Sequence, residues 1–394
     1  MGEEHTGPVT LTAAEAAAEL NVSRATLYAY VSRGLIRSQP VPGRRSRLYR
    51  ADDVRRLRAR PEPGEALNWG QPVLNSAITL IADGRLYYRG RDAAALAVSA
   101  SVESVARLLW QQDRADPFAA PPPAHPPRPA GLSGLPLCQA VLPISAAGDM
   151  RAFNLAPAGV AATGARILRS LAALLAAREP TTAPIEVQLR QAWQVGEVAE
   201  PVLRAAMILS ADHELNPSAF TARVVASTGA TPYAAVQAGL AALQGPRHGG
   251  ATAQIAAFLD GLNPEADIPQ QVLQRLQRGE PLPGFGHPLY PEGDPRARLL
   301  LDLAAAAAPE STSLARDRAV AAAAGELTGQ APNIDFALVA AARALALPPT
   351  APLALFAIGR CIGWVAHAQE QYAERGIIRP RARYTGDAPK PDRP

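Results

Sequence analysis

Along most of this chain the apolar residues recur every three to four positions, as in Val102 to Trp110, Val160 to Ala177, Ala234 to Leu243 and Leu353 to Gln371. That spacing lines one face of an α-helix. Only Ser76 to Arg89 alternates like a strand pair, with Asp83-Gly84 placed to turn a hairpin. The pattern restricts the body to a mainly α fold, and 48% hydrophobic residues supply a large core. At 394 residues two or three domains are expected, at roughly 100–200 residues per domain. Pro61-Glu62-Pro63-Gly64 breaks the pattern, and so does Pro117 to Pro129, which holds seven prolines. A run so dense in proline cannot pack as helix, which predicts a surface insertion or flexible connection there. His125, inside that run, and His5 near the start are expected in disordered segments. No internal repeat is apparent.

The formal net charge is +4, and Lys390 is the only lysine among 39 basic residues, a bias read as genome composition. Two cysteines, Cys138 and Cys361, lie far apart without metal-ligand spacing. They argue for a reducing compartment, no disulfide framework and no metal site. Glu3 and Glu4 speak against a signal peptide, and charges interrupt the alanine-rich runs too often for a bilayer span. A cytoplasmic protein with no membrane partner is expected.

The positive charge is concentrated near the N-terminus. Residues 24–60 carry eleven arginines against Asp52 and Asp53, whereas residues 61–394 carry a net charge of −1. Thr12-Ala13-Ala14-Glu15 has the form of a capping box, and Asn21-Val22-Ser23 turns into a second helix, Arg24 to Val31, that Gly34 closes. A basic loop, Pro40 to Arg50, and a helix opened by Asp52-Asp53 follow. The arrangement resembles the MerR-type winged helix-turn-helix. That resemblance implies DNA contacts from Ser23, Arg24, Thr26 and Tyr28 on the recognition helix and from Arg44, Arg45 and Arg47 on the wing. A basic helical hairpin used for protein docking is the competing reading.

Three of the six histidines stand in acid- or glycine-flanked settings: Ala211-Asp212-His213-Glu214-Leu215-Asn216, Gly245-Pro246-Arg247-His248-Gly249-Gly250 and Gly284-Phe285-Gly286-His287. Asp294-Pro295-Arg296, Asn333-Ile334-Asp335-Phe336, Gly359-Arg360 and Arg379-Pro380-Arg381 follow. This set suits carbon-acid chemistry on an anionic substrate. A base that removes a proton far less acidic than its own conjugate acid needs a donor aimed at the developing enolate oxygen. Guanidinium groups hold carboxylates through paired hydrogen bonds.

In order and local sequence, residues 68 to 386 resemble the citrate synthase family, from Ser76-Ala77-Ile78 and Leu86-Tyr87-Tyr88-Arg89-Gly90 to Arg379-Pro380-Arg381-Ala382-Arg383-Tyr384. The resemblance implies condensation of acetyl-CoA with oxaloacetate to citrate and CoA, with acetyl-CoA as co-substrate and no cofactor. Asp335 would be the base on the acetyl methyl group, His248 the donor to the enol, and His287 the group that polarises the ketone. His213, Arg296 and Arg360 would hold the oxaloacetate carboxylates, and Arg379 would reach the neighbouring site of a homodimer. Large and small helical domains are implied behind the small winged helix-turn-helix. The boundaries are 1–60 for the helix-turn-helix, 61–66 for a linker, 67–251 and 348–386 for the large domain, 252–347 for a small mobile domain, and 387–394 for a disordered tail. The alternatives are a 2-methylcitrate synthase using propionyl-CoA, and a metabolite-sensing DNA-binding regulator with little turnover.

Each residue also has a plainer structural reading. His213 could sit on a helix surface between acids, His248 and His287 could be loop histidines bonded to backbone, Asp335 could cap a helix, and Arg296 could be solvated at a helix start. His367 reads as a packed helix residue. The chain also departs from the family pattern. Pro288-Leu289-Tyr290-Pro291 stands where the family has an Arg-Val-Tyr-Lys-like segment, Arg247 where leucine is usual, Thr252 where asparagine is common, and Phe336-Ala337-Leu338 lacks the usual tyrosine and serine. These changes leave the catalytic groups intact and bear on CoA affinity and acyl-chain selectivity.

Overall fold

The computed structural model describes residues 10–20, 22, 24–32, 35–41, 47–54, 74–113, 115–374, 376–380 and 385–386, except for the side chains of Arg24, Ala25 and Ala29. The expectations for His5, Ser23, Gly34, Arg44, Arg45, the side chain of Arg24, the 61–66 linker and the 387–394 tail therefore lie outside the described residues. The chain divides into two compact units, Met1–Val73 and Leu74–Pro394.

In the first unit the capping box forms as its sequence predicts. The Thr12 backbone N–H and hydroxyl both donate to Glu15 Oε2 at 2.8 Å, and the Glu15 N–H returns a bond to the Thr12 hydroxyl. Helix α1 (Ala13–Glu19) starts there, and α2 covers Arg24–Ser32. Within the expected basic loop, residues 42–46 lie outside the described residues, and Arg47–Arg50 form a strand, β3, that pairs with β2 (Ser38–Pro40). A short β1 (Thr10–Leu11), which the sequence reading did not foresee, adds to β3 to give the antiparallel order β1-β3-β2. Alternation along Arg47-Leu48-Tyr49-Arg50 explains the strand, because it sends Tyr49 into a core with Ala16, Leu27, Ile36 and Val54. Arg37 grips Asp53 with Nε and Nη2 at 2.8 Å each, tying the start of the sheet to the helical turn at residues 51–54.

In the second unit Asp83 and Gly84 both have positive φ, the requirement of a tight hairpin turn, and join β4 (Thr79–Ala82) to β5 (Arg85–Tyr88). A short β6 (Arg91–Asp92) extends the sheet, and helices make up most of the remainder. The longest is a 23-residue helix, Ala351–Ala373. It is apolar enough to cross a membrane, yet 94% of its apolar window is buried against other helices, so packing accounts for that character. Small residues let neighbours approach it. Gly359 lies against the Met207 carbonyl, Gly363 against Ala211 and Asp212, and Gly239 of the Pro232–Leu243 helix lies under the Trp364 ring. This close packing brings the Asp212-His213 segment, just past helix Glu200–Leu209, beside Arg360 and His367.

The proline-rich run corrects an expectation. It is not helical, as predicted, but it is held against the body. Phe118 stacks on Trp110 at 5.8 Å, Arg169 donates to the Ala120 carbonyl, His125 Nδ1 meets the Ser170 hydroxyl at 3.2 Å, and Arg128 pairs with Glu179. Prolines exclude helix but not docking, since one buried aromatic and a few side-chain bonds suffice to hold an extended strap. A surface cavity of about 410 Å³ beside the strap is lined by groups of both signs, among them Glu103, Arg107, Asp116 and Arg169. It contains none of the three motif histidines.

Candidate active site

His213 lies on no helix surface. It follows the buried Asp212 in a turn where Glu214 takes a positive φ, after which Asn216 caps the helix Pro217–Ala226 through its side-chain oxygen and the Ala219 N–H. The turn points the imidazole inward, 8% exposed, where Nε2 meets the Tyr290 hydroxyl at 3.1 Å. Its ring lies 5.0 Å from that of His287. Gly284 and Gly286, both at positive φ, shape the loop that presents His287. The Leu289 N–H donates to His287 Nδ1 at 3.1 Å, so a neutral ring carries its proton on Nε2. A backbone bond is present, as the plainer reading required, but it leaves the other nitrogen as a fixed donor.

Asn333, not Asp335, caps the helix Ile334–Ala344, accepting from the N–H groups of both Asp335 and Phe336. The Asp335 carboxylate, in the first turn, is thereby left without a local role, and its Oδ1 is buried without a hydrogen-bond partner. Such an atom is costly in a folded protein. Burial pushes the Asp335 carboxyl up to about 6; Arg296 and Arg360 pull the other way, and Asp294 adds to the rise.

Arg296 is likewise not solvated. It is 3% exposed, its guanidinium folds back onto Asp294 at 2.9 and 2.8 Å, and it lies 5.3 Å over the Tyr290 ring. Burial works against its charge, and Asp294 more than offsets that effect. Arg360, 2% exposed, lies 5.1 Å over Phe356, its Nη1 is 4.0 Å from Asp212 Oδ1, and neither Nε nor Nη1 makes a hydrogen bond. Burial lowers its pKa, while Asp212 restores part of the loss.

His248 sits in a turn that only glycines allow, since a Cβ at Gly249 or Gly250 would press on Leu243 or on backbone carbonyls. Its Nε2 lies 2.7 Å from the Ser218 hydroxyl, and its ring meets the edge of Phe356 at 5.6 Å. Ser218 has one proton for several neighbours. Trp364 Nε1–H can only donate to it, at 3.1 Å, so the serine proton goes either to Asn216 Oδ1 at 2.8 Å or to His248 Nε2. In the second case a neutral His248 carries its own proton on Nδ1.

Burial holds all three imidazoles neutral. It pushes His248 down to about 3 with help from Arg360, pushes His287 down to about 4 with help from Arg296, and places His213 well below its ordinary value, with Arg296 and His287 adding to the effect. Two guanidiniums, three neutral imidazoles and an ionisable carboxylate thus share one interior. Arg379 stands apart, exposed beyond the Ala351–Ala373 helix, and joins none of these contacts. Among the DNA-contact candidates, Tyr28 is 53% exposed, Thr26 is half-buried, and Arg47 is exposed and bonded to Ser38. Among the described residues no group of three His, Cys, Asp or Glu side chains is arranged to hold a metal ion.

Several contacting residues were not singled out by the sequence: Ser218, Tyr290, Asp294 as a partner, and Asp212 with His367. His367 is packed, as predicted, but its Nε2 binds Asp212 Oδ1 at 3.1 Å, and Thr79 donates to the other oxygen of Asp212 at 2.5 Å. Tyr290 was legible only as a position in an altered loop, since nothing local shows that its ring lies between His213, His287 and Arg296.

Fold and cluster together define a helical protein built around a buried carboxylate–imidazole–guanidinium site, with a helix-turn-helix unit before it. The chain belongs to the citrate synthase family: the family model described as "Citrate synthase, C-terminal domain" matches residues 154–381, and one described as "Helix-turn-helix domain" matches residues 10–60. It is 37% identical over 195 residues to a citrate synthase of Haloferax volcanii (48% of this chain, 52% of the relative). It is 33% identical over 192 residues to a 2-methylcitrate synthase of Shewanella oneidensis (48% and 51%). The chain thus spans about half the length of the curated relatives it matches. Its fold is that of the citrate synthase from Thermotoga maritima, with a TM-score of 0.65 at 24% identity over 82% of this chain and 96% of that one. It also matches the Thermoplasma acidophilum enzyme solved with carboxymethyl coenzyme A and oxaloacetate, with a TM-score of 0.68 at 22% identity over the same shares.

Proposed function

We propose that this protein condenses acetyl-CoA with oxaloacetate to give citrate and CoA. The observation that carries the proposal is the Asp335 carboxylate, buried and unpartnered at Oδ1 in an interior that also holds three neutral imidazoles and two guanidiniums. Arg296, Arg360 and His213 bind the two carboxylates of oxaloacetate. Asp335 takes a proton from the acetyl methyl group while His248 Nδ1–H donates to the thioester oxygen, a direction open when Ser218 donates to Nε2. The enol carbon attacks the ketone carbon while His287 Nε2–H hydrogen-bonds the ketone oxygen as it becomes an alkoxide, and the alkoxide takes up a proton in place of the one Asp335 removed, leaving His287 neutral. Water then cleaves the thioester of the resulting citryl-CoA, releasing citrate and the CoA thiol. Neutral imidazoles suit both donor roles, because a fixed dipole stabilises the developing oxyanion without placing a further positive charge near the guanidiniums.

Residues 252–347 serve as a small domain that closes over the large one. Its three site elements are bonded to one another, Asn333 N–H to Gly284 O and Asp294 to the Ile334 N–H, and so move together. The chain works in the cytoplasm as a homodimer, supported by exposed Ile144, Met150 and Phe153 at one end of the Gly134–Gly148 helix, with Arg379 reaching the partner site. Propionyl-CoA, giving 2-methylcitrate, is the alternative donor, and the prolines at 288 and 291 remove basic groups that would otherwise meet CoA phosphates. The N-terminal unit binds DNA in the MerR manner, and a ligand-sensing regulator with little turnover is the second reading, favoured by the helix-turn-helix alone.

Oxaloacetate-dependent release of CoA thiol from acetyl-CoA and propionyl-CoA, with Asp335→Ala as control, decides between them. Turnover absent from the variant supports the synthase and ranks the donors. Turnover no greater than the variant's replaces it with the regulator.

A further inference from the structure

Asp294 stands between two groups that the proposed reaction uses separately. Its side chain is 1% exposed and accepts four hydrogen bonds. Oδ1 takes the Arg296 N–H at 3.0 Å and Arg296 Nε at 2.9 Å; Oδ2 takes Arg296 Nη2 at 2.8 Å and the Ile334 N–H at 3.0 Å. Ile334 is the first residue of the helix that carries Asp335 at its second position. One carboxylate therefore holds a substrate-binding guanidinium and the start of the base's helix, although the two lie about forty positions apart in sequence. Arg296 is left with Nη1 as the nitrogen that Asp294 does not occupy.

We infer that Asp294 is a positioning residue that couples dicarboxylate recognition at Arg296 to the placement of the base Asp335. A carboxylate arriving at Arg296 competes for the charge Asp294 shares with it, and any adjustment of Asp294 is passed to the Ile334 N–H and so to the first helical turn. Asp294 also acts through space, since its charge raises the Asp335 carboxyl while Arg296 and Arg360 lower it. The bond to Ile334 is direct and buried, where a hydrogen bond to a charged carboxylate is stronger than in water.

The inference rests on the proposed condensation, so wild-type turnover is measured first; its absence removes that reading and this one with it. Given turnover, two variants separate the links. Asp294→Asn disturbs both, and the expected result is a kcat lowered at least tenfold, a raised KM for oxaloacetate, and an acid limb of the rate profile moved to lower pH. Ile334→Pro deletes only the N–H that Asp294 accepts, at a first helical position where proline is tolerated, and Ile334→Ala controls for the lost side chain. The proline variant is expected to fall well below the alanine variant in kcat, with KM for oxaloacetate matching. A purely structural Asp294 would change KM and leave kcat and the acid limb in place. That result, or equal kcat in the two Ile334 variants, overturns the coupling, and the Ile334 pair decides alone if Asp294→Asn does not fold.

Discussion

Asp335→Asn should abolish turnover and at the same time stabilise the fold. In the native protein the carboxyl titrates near 6 instead of its ordinary 3.8, because its charged form is buried without a full set of partners. A raised native pKa means that the folded state binds the proton more tightly than the unfolded chain, so stability falls as pH rises from below 3.8 to above 6. A shift of about two units corresponds to about 3 kcal/mol of native-state cost at pH 7. The same linkage leaves only about 1 kcal/mol at pH 4.5, where the native group is already protonated and the unfolded one mostly ionised. Asparagine has nearly the same shape and no charge, so it should recover most of that cost. Denaturant and thermal midpoints of wild type and Asp335→Asn, compared at pH 7 and pH 4.5, should show a stabilised variant at pH 7 and a gap shrinking by about two thirds at pH 4.5. A variant less stable than wild type at pH 7, or a gap that does not change with pH, would refute the claim that burial of the carboxylate sets its pKa.

The rate profile of turnover should show an acid limb centred near 6, set by Asp335, with no further limb from the histidines between pH 5 and 8, because burial pushes His248 and His287 down to about 3 and about 4; a profile flat from pH 5 to 8 contradicts the assignment of the base. Gly363→Ala would drive a Cβ against the Ala211 carbonyl and to 2.7 Å from Asp212 Oδ1. Overpacking there should cost about 1–3 kcal/mol or more, together with a raised KM for oxaloacetate; an unchanged thermal midpoint would show that the helices part without penalty. In the N-terminal unit, Arg47→Ala should lower the slope of log affinity for duplex DNA against log salt by about one, with little effect on sequence preference, and an unchanged slope would remove Arg47 from the phosphate contacts.

Much of the site was legible because its residues sit in short segments with their own chemistry. The Thr12–Glu15 box, the Asp83-Gly84 turn and the glycines around His248 and His287 each depend on neighbours within a few positions, and each formed as read. The plainer readings were settled only by packing. Asp335 and Asn333 are equally good caps on paper, and which of them takes the task depends on how the chain enters the Ile334–Ala344 helix. The proline-rich strap shows the opposite failure. Composition correctly excluded helix but said nothing of the Trp110 face and the Ser170 and Glu179 side chains that hold the strap in place.

By itself the sequence determined the helical periodicity, the basic N-terminal unit, the order of the acid, base and guanidinium segments, and the family to which they belong. These are properties of local spacing and residue type, which do not change when distant parts of the chain are rearranged. Tertiary structure alone decided that Asp212 lies between Thr79, Arg360 and His367, that Tyr290 touches His213 and supports Arg296, that Ser218 meets the His248 ring, and that Asp294 joins Arg296 to the helix of Asp335. Burial, proton position and the charge of a carboxylate depend on what is packed around them. At Gly359 and Gly363 the packing turns on the absence of a side chain, which lets two helices approach until residues more than a hundred positions apart share one dry interior.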